Sequence, residues 1–244
     1  MLKRIHRALL RFPLTRRVQL RSARWIKWNL GVSDPYYDLL ALAKRLQPVA
    51  ILDIGSFVGD TIEFLVQGTR LPIHGFEPTP ESFQRLASRY AGNSQVHLHP
   101  IALSDRSGEI EIFCNRNPQT NSILDNDVGN TSAFPDQTAH VTKRSVAVTT
   151  LDAWMSAHIP HGNILIKSDV QGAEGLLLDG GSMTFATRVL GFYSEAQLGT
   201  QYAGQTDLFH LHQRLCGIGF VLHNLYACHQ DKSGRATQTD ALWA

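Results

Sequence analysis

Long apolar runs are missing from this chain of 244 residues. No run approaches the ~20 residues that a bilayer-spanning helix needs, so a transmembrane helix is not expected. Cysteine is scarce as well. Cys114, Cys216 and Cys228 are odd in number and far apart, which excludes a disulfide framework and the paired spacing of a zinc site. Reduced thiols in a cytoplasmic protein are the expectation. Acid is absent from one region only. Residues 1–33 contain no Asp or Glu but nine basic side chains: Lys3, Arg4, Arg7, Arg11, Arg16, Arg17, Arg21, Arg24 and Lys27. The remaining residues carry fourteen basic groups against 21 acidic ones, a net charge of −7. A body of that sign is a poor surface for tracking phosphates, and no nucleic-acid partner is expected.

The basic segment has a pattern of its own. Leu2, Ile5, Leu9 and Phe12 recur at helical spacing, with Lys3, Arg4, Arg7 and Arg11 on the opposite face. Pro13 ends that helix, and a second basic stretch carries Trp25 and Trp28. Arg7, Arg11, Arg16 and Arg17 interrupt any signal-peptide core. The pattern suits contact of residues 1–28 with an anionic membrane surface, at the inner membrane face, or with an acidic partner. It also suits a solvated helix or one packed on the body. Residues 1–47 are read as a basic helical extension and 48–244 as the main domain.

From Asp34 onward, strands and helices alternate. Asp34-Pro35 starts a helix that Pro48 stops. The apolar run 49–52 reads as a buried parallel strand, and 61–67 as the helix behind it. Strands follow at 73–76, 96–103, 164–166 and 189–193. Helices follow at 80–90, 151–157, 173–178 and 208–215. Segments 109–113 and 145–149 alternate apolar and polar residues, as an antiparallel pair would. Between them, 115–142 is a long polar stretch of the kind that is often functional. Segments 220–226 and 237–243 form a closing hairpin. The fold class is therefore α/β: a Rossmann-like, mostly parallel seven-stranded sheet with an antiparallel last strand.

The most informative segment runs from Ile51 to Asp60, a strand, a glycine turn and a helix start. Gly55 permits a sharp turn and close backbone approach, and Gly59 leaves room at the helix start. The next strand ends in Glu77, 24 positions beyond Asp53, where a carboxylate can accept hydrogen bonds from a ribose diol. A dinucleotide site would need glycines where Phe57 and Asp60 stand. A bulky side chain and a carboxylate are poor neighbours for a diphosphate. S-adenosylmethionine carries no phosphate; its sulfonium and amino groups are positive, and Asp53 and Asp60 suit them.

These residues belong to an ordered series: Asp53-Ile54-Gly55, Gly59-Asp60, Phe76-Glu77-Pro78, Ala102-Leu103-Ser104-Asp105, Thr149-Thr150-Leu151-Asp152, and Asp169-Val170-Gln171-Gly172-Ala173-Glu174. Over roughly residues 50–244 the chain resembles the FkbM family of methyltransferases. The resemblance implies a class I methyltransferase fold, S-adenosylmethionine as cofactor, and O-methylation of a sugar, glycolipid or secondary metabolite. Carried over by position, Asp53, Gly55, Ser56, Phe57 and Gly59 would form the loop at the methionine end. Glu77 and Pro78 would lie at the ribose, and Ala102, Leu103 and Asp105 at the adenine. The chain departs from the family at Phe57, usually Asn, and at Gln171, usually Glu.

An alcohol acceptor must lose a proton as the methyl group arrives. Asp169 is the first candidate base, because strand ends in open α/β sheets face the ligand crevice. Glu174 and Glu195 are alternatives, and Lys167 would hold an anionic substrate or pair with Asp169. For each carboxylate, a structural salt bridge or helix cap is the competing role. His97 with His99, and His210 with His212, have no third ligand in register, so no metal is expected. A different class of function also stays open: a degenerate cofactor-binding module that serves a partner, tethered by the basic segment. Phe57 and Gln171 favour it; Asp53, Glu77 and Asp169 favour the enzyme.

Overall fold

A computed structural model describes residues 33–129 and 138–244. The basic helix expected at 2–12, the stretch around Trp25 and Trp28, and their membrane or partner contact lie outside the described residues. The first described helix, α1 (Pro35–Leu46), begins as its sequence suggests. Pro35 sits in the first turn, and the Asp34 carboxylate accepts from the backbone N–H groups of Tyr36 and Tyr37. Leu39, Leu42 and Ala43 on this helix are buried against the sheet.

The sheet grows from β1 (Ala50–Ile54), all five residues of which are buried. β2 (Ile73–Phe76) and β3 (Val96–His99) extend it in parallel on one side. β7 (Ile164–Ser168) and β8 (Val189–Gln197) extend it in parallel on the other. β11 (Ala236–Trp243) then runs antiparallel to β8. Beyond β11, two short strands, β9 (Leu222–Leu225) and β10 (His229–Gln230), pair with different parts of it. The sheet thus has eight strands in seven ranks, ordered β10-β11-β8-β7-β1-β2-β3, with β9 beside β11. A hairpin, with no crossover helix, enters β11, which is why its direction reverses. The Asp231 carboxylate closes the turn by accepting from the N–H groups of Ser233 and Arg235.

Helices cover both faces. α1 and α2 (Asp60–Gly68), with Leu86 of α3 (Pro80–Arg89), enclose Ile51, Ile73, Leu165 and Leu242. On the other face lie α4 (Leu151–His158), α5 (Glu174–Gly180), α6 (Ser182–Thr187) and α7 (Leu208–Gly217). They pack Trp154, Leu177, Phe185 and Leu211 on Leu52, Ile166, Phe192 and Trp243. Each fully buried side chain of this size contributes about 1.5–3 kcal/mol. α6 was not foreseen in the sequence.

The strand expected over 96–103 is instead two. The chain leaves the main sheet after β3 at Pro100, which has no N–H to continue a ladder. β4 (Ala102–Leu103) joins a second, three-stranded sheet, in which β6 (His140–Thr149) lies between β4 and β5 (Gly108–Asn115). The β5–β6 pair is antiparallel, as its alternation implied. Among the described residues no helix is long and apolar enough to cross a membrane.

Candidate functional site

The C-terminal ends of β1, β2, β7 and β8 converge on one edge of the sheet, where open α/β folds place their ligands. The loop after β1 passes very close to the loop after β7. A Cβ on Gly55 (φ 78°) would stand 2.0 Å from the carbonyl oxygen of Asp169, so only glycine fits there. Beneath this crossing, Asp53 and Lys167 occupy paired positions of β1 and β7. The Lys167 ammonium lies 3.0 Å from Asp53 Oδ1 and 4.0 Å from Asp169 Oδ2, and donates to the Gly55 carbonyl at 3.1 Å. Burial works against the charge of Lys167, but Asp53 and Asp169 together hold its pKa above the ordinary lysine value. The side chain is therefore a buried cation that ties the glycine loop to both strands.

The rest of the loop is fastened from below. The Ser56 hydroxyl donates to the Asp53 carbonyl at 2.7 Å. Tyr90 donates to the Gly59 carbonyl at 2.6 Å, and Arg89 to the Val58 carbonyl at 2.6 Å. Phe57 is left-handed (φ 50°), and its N–H donates to Glu77 Oε2 at 3.0 Å. Thr79 donates to Glu77 Oε1 from its backbone N–H at 2.9 Å and from its hydroxyl. The Glu77 carboxylate thus organises the loop from the next strand. Burial raises its pKa, while the bonds from Thr79 and Phe57 act in the opposite direction.

Above these groups is an open cleft. Gly55, Phe57, Glu77, Pro78, Ala102, Leu103 and Asp169 line it, with Phe76, Ile101 and Ile112 making an apolar side. Phe76 stacks on His99, which with His74, His97 and Trp154 forms an aromatic ladder behind the cleft. Burial, with the neighbouring imidazoles, lowers His74 and His99 to about 4, so these two rings are neutral at physiological pH. Asp53, Ser56 and Gly59 lie behind the cleft wall rather than among its lining residues. Asp105 is exposed, with its carboxylate bonded to the Ser104 hydroxyl at 3.1 Å.

A second, polar cleft of about 1070 Å³ adjoins the first. Asn117, Gln119, Thr120, Gln201, Tyr202 and Gln238 line it, with Glu195 at its side, and among the described residues that line it none is Lys or Arg. Asp169, Gln171 and Gln119 line both clefts, so these three stand where they meet. The polar stretch 115–142 supplies part of this wall through Asn117, Gln119, Thr120 and Thr138; 130–137 lie outside the described residues. Gln119, Gln201, Tyr202, Gln238 and His229 carried no motif that could single them out in the sequence.

The remaining acidic candidates differ in setting. Glu195 is bonded at 3.0 Å by the Gln171 side chain. Burial, then Asp169, Asp240 and Glu174, push its pKa up to about 9. Glu174 is buried at the start of α5, where Oε1 accepts from the Val170 N–H at 3.2 Å and Oε2 has no hydrogen-bond partner. Burial chiefly, with Asp169 adding to it, pushes its pKa from 4.5 to about 8. A carboxyl whose folded pKa is raised stabilises the protein below its unfolded pKa. That stability is lost as pH rises through the folded value. The expected result for Glu174→Gln is a higher melting temperature than wild type at pH 8 and a smaller difference at pH 5, read by thermal scans across that range. Equal differences at both pH values would show that Glu174 is not held protonated. Among the described residues no group of three His, Cys, Asp or Glu side chains is placed to hold a metal ion.

The chain is 28% identical over 181 residues to the 2-O-methyltransferase NoeI of Sinorhizobium fredii (strain NBRC 101917 / NGR234), covering 70% of this chain and 72% of that protein. Among solved structures, it is similar to magnesium protoporphyrin IX methyltransferase (ChlM) from Synechocystis PCC 6803. The TM-score is 0.46 at 10% identity, over 97% of this chain and 88% of that one. The N-terminal domain of EvdMO1 with SAH bound gives a TM-score of 0.45 at 12% identity, over 86% and 80% of the two chains. The pattern of the methyltransferase FkbM domain matches residues 53–222, and the chain belongs to that family.

Proposed function

We propose that this protein is an S-adenosylmethionine-dependent O-methyltransferase whose acceptor is a hydroxyl of a sugar, glycolipid or related polyhydroxylated metabolite. The observation that carries the reading is the meeting of two unlike clefts at Asp169. One is mostly apolar and has a carboxylate, Glu77, set into its wall. The other is lined mostly by amides and hydroxyls, with no Lys or Arg among the described residues that line it.

The first cleft fits the cofactor by its donor and acceptor set. Oε2 of Glu77 takes one bond from Phe57 and keeps an acceptor position for a ribose hydroxyl. Ala102, Leu103, Ile101 and Ile112 offer an apolar slot for adenine. Asp169 gives the other end a negative character suited to a sulfonium and an ammonium group. When bound, S-adenosylmethionine supplies an electrophilic methyl group. Lys167 and Gly55 hold the loop that receives it, and Asp169 takes the proton of the acceptor hydroxyl. The amide-rich cleft orients the acceptor through neutral hydrogen bonds, which favours an uncharged polyol over a phosphorylated one. The name of the relative, a 2-O-methyltransferase, supports transfer to oxygen. In this reading residues 48–244 are the catalytic domain and 1–47 an extension whose helix α1 packs upon it.

The test is a screen of neutral oligosaccharides and glycolipids with cofactor labelled in the methyl group, using wild type and Asp169→Asn. Asp169→Asn is expected to lower turnover by about 10²–10⁴, beyond whatever cofactor affinity is lost with its charge. Unchanged turnover would remove Asp169 from the base role; no cofactor binding by wild type would sink the whole reading.

A further inference from the structure

The loop after β7 adopts a left-handed backbone at Gln171 (φ 54°), a conformation disfavoured for residues that carry a Cβ. The conformation serves to place one carboxamide. Gln171 Nε2 donates to Asp169 Oδ1 at 2.7 Å and to Glu195 Oε1 at 3.0 Å. Its Oε1 accepts from the Tyr202 hydroxyl at 2.6 Å, and its backbone carbonyl accepts from the Ser122 hydroxyl at 2.9 Å. The amide can point only one way, since its oxygen would otherwise face two carboxylates. A glutamate in the same place would have no hydrogens to give.

We propose that Gln171 is a positioning residue that bridges Asp169 and Glu195 and tunes the proton affinity of the pair. By giving one N–H to each acid at the junction of the two clefts, it favours the anion and so works against the burial and the neighbouring acids that hold a proton on Glu195. The surroundings are consistent with one charge there. Glu195 faces Asp169, Glu174 from α5 and Asp240 from β11. Asp240 in turn is bonded by Tyr193 and faces His229 of β10. Lys167, the buried cation, approaches Asp169 and is already shared with Asp53. The proton therefore resides on Glu195, and one negative charge remains to meet a cationic cofactor. The purpose of that charge rests on the methyltransferase reading; the bridge itself does not.

The test uses the full chain without ligand, with glutamate carboxyls labelled with carbon-13 and titrated by NMR. Glu195→Gln assigns the Glu195 signal. In wild type its midpoint is expected near 9. Gln171→Met removes an N–H that favours the anion and should move the midpoint up by about one pH unit or more. Gln171→Glu keeps the shape, adds a carboxyl and should move it further. A wild-type midpoint in the ordinary glutamate range, or variants that melt earlier without moving it, would overturn the proposal. Calorimetry with S-adenosylmethionine on the same wild-type sample separates the two failures. Absent binding defeats the methyltransferase reading, whereas an unmoved midpoint defeats the Gln171 assignment alone. Should Gln171→Met fail to fold, the isosteric Gln171→Glu decides the matter by itself.

Discussion

Replacing Lys167 by methionine should lower the stability of the protein by about 3–5 kcal/mol, the usual cost of leaving one member of a buried ion pair alone. In a chain of this size each kcal/mol is worth about 2–4 °C of melting temperature, so the transition should fall by ~6–20 °C. The reason is local. Lys167 and Asp53 are 4% and 0% exposed, and each is the other's cross-strand partner. Without the ammonium, Asp53 must either stay charged in the core or take up a proton, and the Gly55 carbonyl loses its donor as well. Thermal or denaturant unfolding of Lys167→Met, Asp53→Asn and the double variant forms a cycle that isolates the pair. Much of the loss should return in the double variant. A loss below about 1 kcal/mol for Lys167→Met would mean that the pair is solvated and not a strut.

The second large effect concerns Glu77. Glu77→Ala is expected to weaken binding of S-adenosylmethionine by about 100-fold, close to 2.7 kcal/mol. One part of the loss is the acceptor for a ribose hydroxyl. The other part lies in the apoprotein, where the Phe57 and Thr79 N–H groups lose their carboxylate. Phe57 holds its left-handed backbone against an intrinsic cost of order 1 kcal/mol, and the bond to Glu77 is what offsets it. Glu77→Gln keeps one acceptor oxygen and should lose only about tenfold. Calorimetric titration of both variants decides the point. Equal affinities for wild type and Glu77→Ala would show that the cofactor is not read by this carboxylate.

The sheet was legible because its signal is local and strong. The run 49–52 has no alternation, and Asp34-Pro35, Pro48 and Asp53-Ile54-Gly55 punctuate it, so β1 and its turn could be placed from one line of sequence. The family series did the same for Glu77, Ala102 and Leu103. What failed to show was what depends on pairing across distance. By its place in the family series Asp53 belongs to the cofactor loop, but its placement opposite Lys167 follows from register between strands over a hundred residues apart. The break at Pro100 was overlooked because Ile101, Ala102 and Leu103 continue the apolar look of a strand, although they serve another sheet. The amide wall of the second cleft comes from separate loops and the closing hairpin. Glutamines and threonines in such places look the same as ordinary surface. Gln171 was visible only as a departure from a family pattern; its bridging role required the positions of Glu195 and Tyr202.

The way the main sheet ends has a consequence for how the protein behaves in a crowded solution. An unpaired strand edge is a template on which another chain can add a strand, and long flat edges invite aggregation. Here one edge is β3, four residues long, and the other is divided into two short pieces, β9 and β10, whose pairing with β11 is irregular in register. Neither offers a second molecule a long uniform row of free backbone groups. Among the described residues, the irregular hairpin that closes the fold thus shortens the edge of the main sheet on which another strand could add.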